Sequence, residues 1–339
     1  MTQTPLAPRT HGTPPPVRTG GRARVLLRFL AIVSCLPYLS LKVAWIAGSQ
    51  VGIPEGSPLL DNPTTMAVAN GGTVLMDGSV IVLALLLTQA WGLRVRAWLL
   101  VLPMWTASGL LLPIMGGFPL QLLVGALNGS GPGADTPSFL EGWVFALVYP
   151  GFIVQGLALG ALFALYARDR WGHLWQGALR DLPPSPTAPA LRVAAVAASL
   201  LAVVPATMHL LWASGSTVGL NGSRIAGRTD DFYALQALDA LFVAATVAGL
   251  LLLAFRRTGG LSLKVPLALA WAGSGAVGCS GGWLSIASLA GVEEMADRAT
   301  PGMELTYAVQ MLVGLLVVTS GAYFFAERAA AAKTAGSHA

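Results

Sequence analysis

The chain has 339 residues, of which 55% are apolar and only 10% are charged, whereas a soluble domain carries about 25% charged residues. Its mean hydropathy of +0.67 is typical of a protein that crosses a membrane several times. The net charge of +5 does not indicate a nucleic-acid partner, because the basic residues stand at the ends of apolar segments rather than in a patch with interleaved aromatic residues.

Residues 1–24 are rich in proline, threonine, glycine and arginine. Such a composition offers nothing that could bury a core, so we predict a disordered cytoplasmic tail. The apolar stretch that follows is long enough to span a membrane and ends without a clear small-residue cleavage site, which argues against a signal peptide.

Eight apolar segments follow, each close to the roughly 20 residues that a helix needs to cross about 30 Å of hydrocarbon. We therefore predict an all-α polytopic membrane protein with eight transmembrane helices, and with the lipid bilayer as its first partner. The predicted spans are 26–49, 68–92, 97–117, 141–167, 191–215, 232–255, 265–289 and 303–326.

The lysines and arginines predict the orientation, because cytoplasmic loops carry an excess of both. With the N-terminus inside, 16 of the 20 stand on the cytoplasmic side, and the opposite loops are acidic instead. We expect a plasma membrane protein with both termini in the cytoplasm. The predicted outer loops are 54–67, 118–140, 216–231 and 290–302.

An internal duplication is visible in two pairs of strings. Residues 42–52 read KVAWIAGSQVG and residues 209–219 read HLLWASGSTVG, with five of the eleven positions identical; W-x-x-S-G occurs at 105–109 and again at 271–275. The tryptophans of the two pairs are 167 and 166 residues apart. The chain therefore looks like a tandem repeat. Because four spans is an even number, the repeats should be parallel, with their axis along the membrane normal.

These patterns predict five regions. The first is the tail at 1–24, and a four-helix transmembrane repeat follows at 25–167. A cytoplasmic linker at 168–190 leads to the second four-helix repeat at 191–327. The last region is a cytoplasmic tail at 328–339.

Four ionisable residues lie inside predicted spans at matching places in the two repeats: Lys42 and Asp77, then His209 and Asp239. At 1.5 Å per residue they lie roughly 21–25 Å from the cytoplasmic boundary arginines, in the outer third of the bilayer. A charged side chain in a span costs about 2.5–3.5 kcal/mol or more and normally faces a partner or water. We therefore predict two contacts, Lys42 with Asp77 and His209 with Asp239.

The role of these pairs stays open at this point, as does the alternative that their members do not meet at all. They could be structural contacts that fix helix register, with Lys42 reaching toward the outer surface. Alternatively, they form a polar or ligand-binding site that is open to the outside, in which a histidine could change charge near neutral pH. The first repeat has lysine at this position and the second has histidine. This difference mildly favours a functional role for the pair in the second half.

Two sets of tryptophans accompany the pairs. Trp45 and Trp212 lie near the outer end of their spans. Anchoring at the membrane interface is the ordinary role of tryptophan there, and contact with a ligand is the more specific alternative. The G-x-x-x-G spacing beside each predicts close helix packing. Deeper in the membrane, a tryptophan and a serine on one helix face could form helix–helix hydrogen bonds or line a cavity; these residues are Trp105, Ser108, Trp271 and Ser274.

Catalytic and cofactor signatures are scarce. One G-x-S-x-G string occurs at 278–282, but a nucleophile elbow needs a strand-to-helix turn and this string lies inside a predicted span. The two cysteines lie in apolar runs, and no Cys/His spacing is typical of a metal site. We therefore expect no catalytic residues, no metal and no cofactor.

Residues 208–219, MHLLWASGSTVG, resemble the H-x-x-W-x-x-G signature of an uncharacterised family of small four-span bacterial membrane proteins. His209, Trp212 and Gly215 fit the pattern, and the first repeat departs from it with Lys42 at the histidine position. The resemblance implies a duplicated four-span unit and brings no activity with it. The composition, rich in alanine, glycine and arginine, resembles that of actinobacterial proteins and implies a bacterial plasma membrane.

Three functions compete on this basis. The first is a carrier or binding protein for a small molecule or ion, with its site between the repeats in the outer half of the bilayer. The second is a non-catalytic partner of another membrane protein or a signalling component. The third is an intramembrane enzyme, which the scarcity of catalytic signatures disfavours.

Overall fold

The computed structural model describes residues 21–60, 63–129, 140–256, 260–289 and 298–337. These residues form ten α-helices and contain no strand beyond an isolated bridge between Ala178 and Ser262. The helices are α1 Arg22–Val33, α2 Leu36–Ile46, α3 Pro63–Leu86, α4 Trp98–Asn128, α5 Gly142–Trp171, α6 Ala188–Ala213, α7 Gly222–Ala226, α8 Asp230–Phe255, α9 Lys264–Leu289 and α10 Pro301–Ser337.

Seven helical segments in the described part of the chain are long and apolar enough to cross a membrane. The chain is therefore a helical, multi-pass membrane protein, as predicted. The seven segments are Arg22–Ile46, Thr64–Leu86, Trp98–Asn128, Gly142–Leu174, Ala188–Ala213, Asp230–Phe255 and Pro301–Ala332.

The predicted span 265–289 coincides with α9, which has the required length of 26 residues but is not among the seven. Its many glycines and serines lower its hydropathy, and its packing explains them. A Cβ atom added at Gly273 would lie 2.6 Å from the backbone nitrogen of Thr246, and one at Gly281 would lie 2.5 Å from the carbonyl oxygen of Tyr307. The helix packs against α4, α8 and α10, so its composition serves close helix contacts.

Several predicted boundaries were wrong. The first span is two helices, because the chain turns at Ser34 and Cys35 just before Pro37, which lies in the first turn of α2. The fourth helix runs to Asn128 through the predicted loop 118–140, because the membrane-type sequence there tolerates Pro119 within a helix. The last helix runs to Ser337 through the predicted tail. Of the N-terminal tail, residues 1–20 lie outside the described residues, and Arg22 already begins α1.

The predicted linker is largely ordered against the second half of the chain. Helix α5 continues to Trp171, and the chain then pairs with the α8–α9 connection: the backbone nitrogen of Leu179 donates to the Leu261 carbonyl (3.0 Å) and that of Leu263 donates to the Gly177 carbonyl (3.0 Å). Leu179 and Leu263 are both buried. The segment between the halves is thus part of the core of the second half.

The two halves, α1–α5 and α6–α10, differ in how tightly they pack. In the second half α8 lies along α9 over most of its length, and α9 lies along α10. In the first half α3 packs against α1 and α2 but contacts α4 and α5 only briefly. The halves meet where α4 crosses α9 and touches α8, so α4 and α9 form the centre of the molecule.

Candidate functional site

Lys42 and Asp77 form a buried ion pair between α2 and α3. The Lys42 Nζ atom donates to Asp77 Oδ2 at 2.8 Å, and the two side chains are only 2% and 9% exposed. The ring of Tyr38, one turn before Lys42, lies 3.7 Å from Nζ at its centroid, which adds a cation–π contact. The predicted pairing is confirmed, and both charges are enclosed by protein.

His209 occupies the corresponding place in the second half and lies between two glutamines. Its Nδ1 is 2.7 Å from Gln236 Oε1 on α8, and its Nε2 is 2.8 Å from Gln310 Nε2 on α10. An amide nitrogen can only donate, so Nε2 of the imidazole accepts. In this arrangement Nδ1 donates to Gln236 Oε1. The histidine is buried and hydrogen-bonded at both nitrogens.

Asp239 lies one turn after Gln236 and is left more open than Asp77. Its Oδ2 is 3.9 Å from Nδ1 of His209, so the predicted approach exists, but it is too long to be a hydrogen bond. No residue in the described part of the chain donates a hydrogen bond to this carboxylate. Its side chain is 34% exposed, although it lies well inside α8.

The two glutamines were not included in the predicted site. A signal for them was present, because Gln236 lies three residues before Asp239 and so shares its helix face, and an amide inside an apolar span normally faces the bundle. Gln310 is 101 residues from His209, and only the fold brings the two together. The Oε1 atom of Gln310 is buried without a hydrogen-bond partner, so this network has spare acceptor capacity.

Trp45 and Trp212 close identical turns at the ends of α2 and α6. The indole nitrogen of Trp45 donates to the Val51 carbonyl at 2.8 Å, and that of Trp212 donates to the Val218 carbonyl at 2.9 Å. Both rings are buried, so neither is a lipid-facing anchor. The four glycines follow the helices and adopt positive φ angles: Gly48 (90°), Gly52 (75°), Gly215 (94°) and Gly219 (75°). The predicted close packing holds at the second glycine of each string, because an added Cβ atom would lie 2.5 Å from Val144 Cγ2 at Gly52 and 2.9 Å from Met208 Cε at Gly219, whereas it would meet nothing within 4 Å at Gly48 or Gly215.

Trp105, Ser108, Trp271 and Ser274 join the halves instead of lining an open cavity. Trp105 Nε1 donates to Ser274 Oγ at 3.1 Å, and Trp271 Nε1 donates to Ser108 Oγ at 3.0 Å. The exchange is reciprocal between α4 and α9. A Cβ atom added at Gly109 would lie 2.4 Å from the Gly275 carbonyl oxygen, so the helices touch backbone to backbone. Of the two predicted roles, helix–helix hydrogen bonding is the one the geometry supports.

The predicted site required the two charged pairs to lie together between the halves. The structure does not place them there. Lys42 and Asp77 lie among helices of the first half, whereas His209 and Asp239 lie among helices of the second. The physical reason is that the crossing of α4 and α9 fills the space between the halves. The G-x-S-x-G string also lies in helix packing: a Cβ atom at Gly278 would lie 2.9 Å from the Gly314 Cα atom.

No family model, curated protein or solved structure matches this chain. The resemblance of residues 208–219 to the small four-span family therefore stays a prediction. Among the described residues, no group of three histidine, cysteine, aspartate or glutamate side chains is placed to hold a metal ion. The candidate site is accordingly defined by its geometry alone, as the cluster of His209, Gln236, Asp239 and Gln310.

Proposed function

We propose that this chain is a plasma membrane protein that binds or carries a small cationic solute, at a site within its second half formed by His209, Gln236, Asp239 and Gln310. The observation that carries the proposal is the open carboxylate of Asp239. It lies inside a span, is one-third exposed and receives no hydrogen bond from a described residue. Intramembrane carboxylates of this kind normally face a water-filled path or a ligand.

The first half supports this interpretation by contrast. There the carboxylate of Asp77 is neutralised by Lys42 at 2.8 Å and has no need of an external partner. In the second half an imidazole bonded to two glutamines replaces the ammonium group, so Asp239 has no ammonium partner and receives no hydrogen bond from a described residue. A cation or a protonated amine would supply the missing charge. The oxygen atoms of two nearby amides suit the same class of ligand.

The proposal includes eight spans arranged as two parallel repeats. Helix α9 would be the eighth span, since its 26 residues measure about 39 Å and it lies between helices that qualify as spans. The matching turns closed by Trp45 and Trp212 and the reciprocal bonds of Trp105 and Trp271 support a two-fold relation between the halves. Resemblance to the small four-span family is consistent with this arrangement.

The proposed orientation places both termini in the cytoplasm of a bacterial cell, with the His209 cluster in the outer half of the membrane. The arginine and lysine distribution supports it, with 16 of 20 on one side. Reporter fusions at residues 128 and 260 should report outside and inside respectively. The opposite result at either residue would contradict both the span count and the outward placement of the site.

Ligand-dependent thermal stability of the purified full chain tests the binding site. A ligand that binds the folded state raises its melting temperature, so a panel of inorganic cations and small amines should contain at least one that stabilises the wild-type protein. Asp239→Asn should lose that shift. Asp231→Asn is the matched control, because it removes a carboxylate from the same helix two turns away. An equal shift in Asp239→Asn, or stabilisation by anions alone, would exclude the proposed site.

A further inference from the structure

A pocket of ≈ 250 Å³ lies at the end of the second half that carries α7. Its walls come from α7 and its N-terminal flank, from the last turns of α9 and from the start of α10. The side chains that matter for its chemistry are Ser223, Arg224, Leu284, Ser288, Met303 and Tyr307. None of the four residues of the His209 cluster lines it, so it is a distinct cavity.

Arg224 gives the pocket its charge. No residue in the described part of the chain accepts a hydrogen bond from its guanidinium group, which can donate five. Its backbone is nevertheless fixed: Asn221 Oδ1 accepts from the Arg224 backbone nitrogen at 2.9 Å, and Asn221 Nδ2 donates to the Arg298 carbonyl at 3.2 Å. The arginine is thus presented from a tethered turn with its donors available.

The rest of the pocket divides into a polar wall and an apolar floor. Ser223 and Ser288 carry hydroxyl groups that can turn to donate, although the structure has them bonded to Asn221 (3.2 Å) and to Glu304 (3.3 Å). Leu284 and Met303 form the floor, over the buried cluster that contains Trp212. Glu304, which accepts from Ser288, and Asp239, whose charge interacts with that of Arg224, both oppose an anion, and no described acidic side chain lines the pocket itself.

We propose that this pocket binds a small organic carboxylate, with the carboxylate on Arg224 and the short apolar body on Leu284 and Met303. A planar guanidinium matches a carboxylate with two parallel hydrogen bonds. The volume is below the range of about 300–1,000 Å³ that is usual for drug-sized ligands, which limits the ligand to a small metabolite. The pocket is lined by a different set of residues from the cation site, although the charges of Arg224 and Asp239 interact.

Titration of the purified full chain with sodium propionate, at constant ionic strength and followed by melting temperature, tests the proposal. Propionate should stabilise the wild-type protein more than acetate, because its extra methylene contacts the apolar floor. Arg224→Gln should bind propionate at least about tenfold more weakly, since charge-assisted hydrogen bonds to the anion are lost. Ethylammonium chloride, of the same size and opposite charge, should produce no shift that depends on Arg224.

Arg298→Gln is the matched control, because Arg298 is exposed near the pocket but does not line it. It should retain the wild-type response to propionate. A second variant, Leu284→Trp, fills the floor without changing any charge and should abolish the difference between propionate and acetate. The carboxylate site is excluded if Arg224→Gln responds like the wild type, if Arg298→Gln loses the response equally, or if neither anion stabilises the wild-type protein.

Discussion

The two halves of the molecule share their landmarks and differ in what those landmarks enclose. Each half closes its first membrane segment with the same tryptophan turn and carries an aspartate on the next long helix. In the first half that aspartate is bonded to Lys42 and buried. In the second half His209 turns to two glutamines, and Asp239 remains 3.9 Å away and partly exposed. The aspartate of the first half is thus enclosed in an ion pair, whereas the aspartate of the second half is partly exposed.

The packing of the neighbouring helices differs as well. On α8 a Cβ atom added at Gly249 would lie 2.4 Å from the backbone nitrogen of Ala270 on α9. On α3, Gly71, Gly72 and Gly78 have no atom within 4 Å of an added Cβ. The same small residue thus permits backbone contact in the second half and faces open space in the first. The close contact of α8 with α9 at Gly249 and the open surroundings of the α3 glycines therefore distinguish the packing of the two halves.

The largest expected effect concerns the closed pair. Lys42→Met or Asp77→Asn should each lower the free energy of unfolding by about 3–5 kcal/mol, because each leaves an uncompensated buried group. The double variant should recover part of that loss. Asp239→Asn should be neutral or stabilising, since it removes a carboxylate that no described residue hydrogen-bonds. Denaturant unfolding in detergent measures the free energy of unfolding of all four variants. Strictly additive losses at Lys42 and Asp77 would show that the two side chains do not stabilise each other.

An intermediate effect separates the two glycine faces. Gly249→Ala should cost about 1–3 kcal/mol, because the added methyl group overlaps the α9 backbone. Gly78→Ala should be neutral or stabilise by up to about 1 kcal/mol, since alanine favours a helix and nothing is displaced. The test compares the denaturant midpoints of unfolding of the two variants with that of the wild-type protein under one condition. Equal losses would mean that α3 is packed as tightly as α8 and would remove the contrast between the halves.

The smallest expected effect tests the reciprocal contact between the halves. Ser274→Ala and Ser108→Ala each remove one acceptor from a tryptophan, at a cost of about 0.5–1.5 kcal/mol. The loss should be larger at Ser274, because that bond is buried whereas the Ser108 bond is only partly buried. Ser199→Ala is a suitable control, since its hydroxyl bonds only within its own helix. A loss at Ser274 no larger than that of the control would show that the exchange does not hold the halves together.

Some of these features were predictable because one local quantity specified them. The depth of Lys42 and Asp77 along their spans was enough to predict their contact, since an opposite charge at the same level has few other partners. His209 was harder, because an amide carries no charge to attract notice and Gln310 is 101 residues away. The spacing of the glycines after Trp45 and Trp212 predicted close packing, which holds at Gly52 and Gly219, but spacing alone does not reveal the positive φ angles of all four.

By itself the sequence determined that this protein is helical and crosses a membrane several times, because hydrocarbon tolerates only a backbone that satisfies its own hydrogen bonds. It also determined the Lys42–Asp77 pair, which depends on the depth of the two residues along their spans. Only the tertiary structure decided that α9 packs among α4, α8 and α10, that α3 stands apart from α4, and that Asp239 stays open. Those outcomes depend on distances between helices far apart in sequence, where one added methyl group decides whether two backbones can touch.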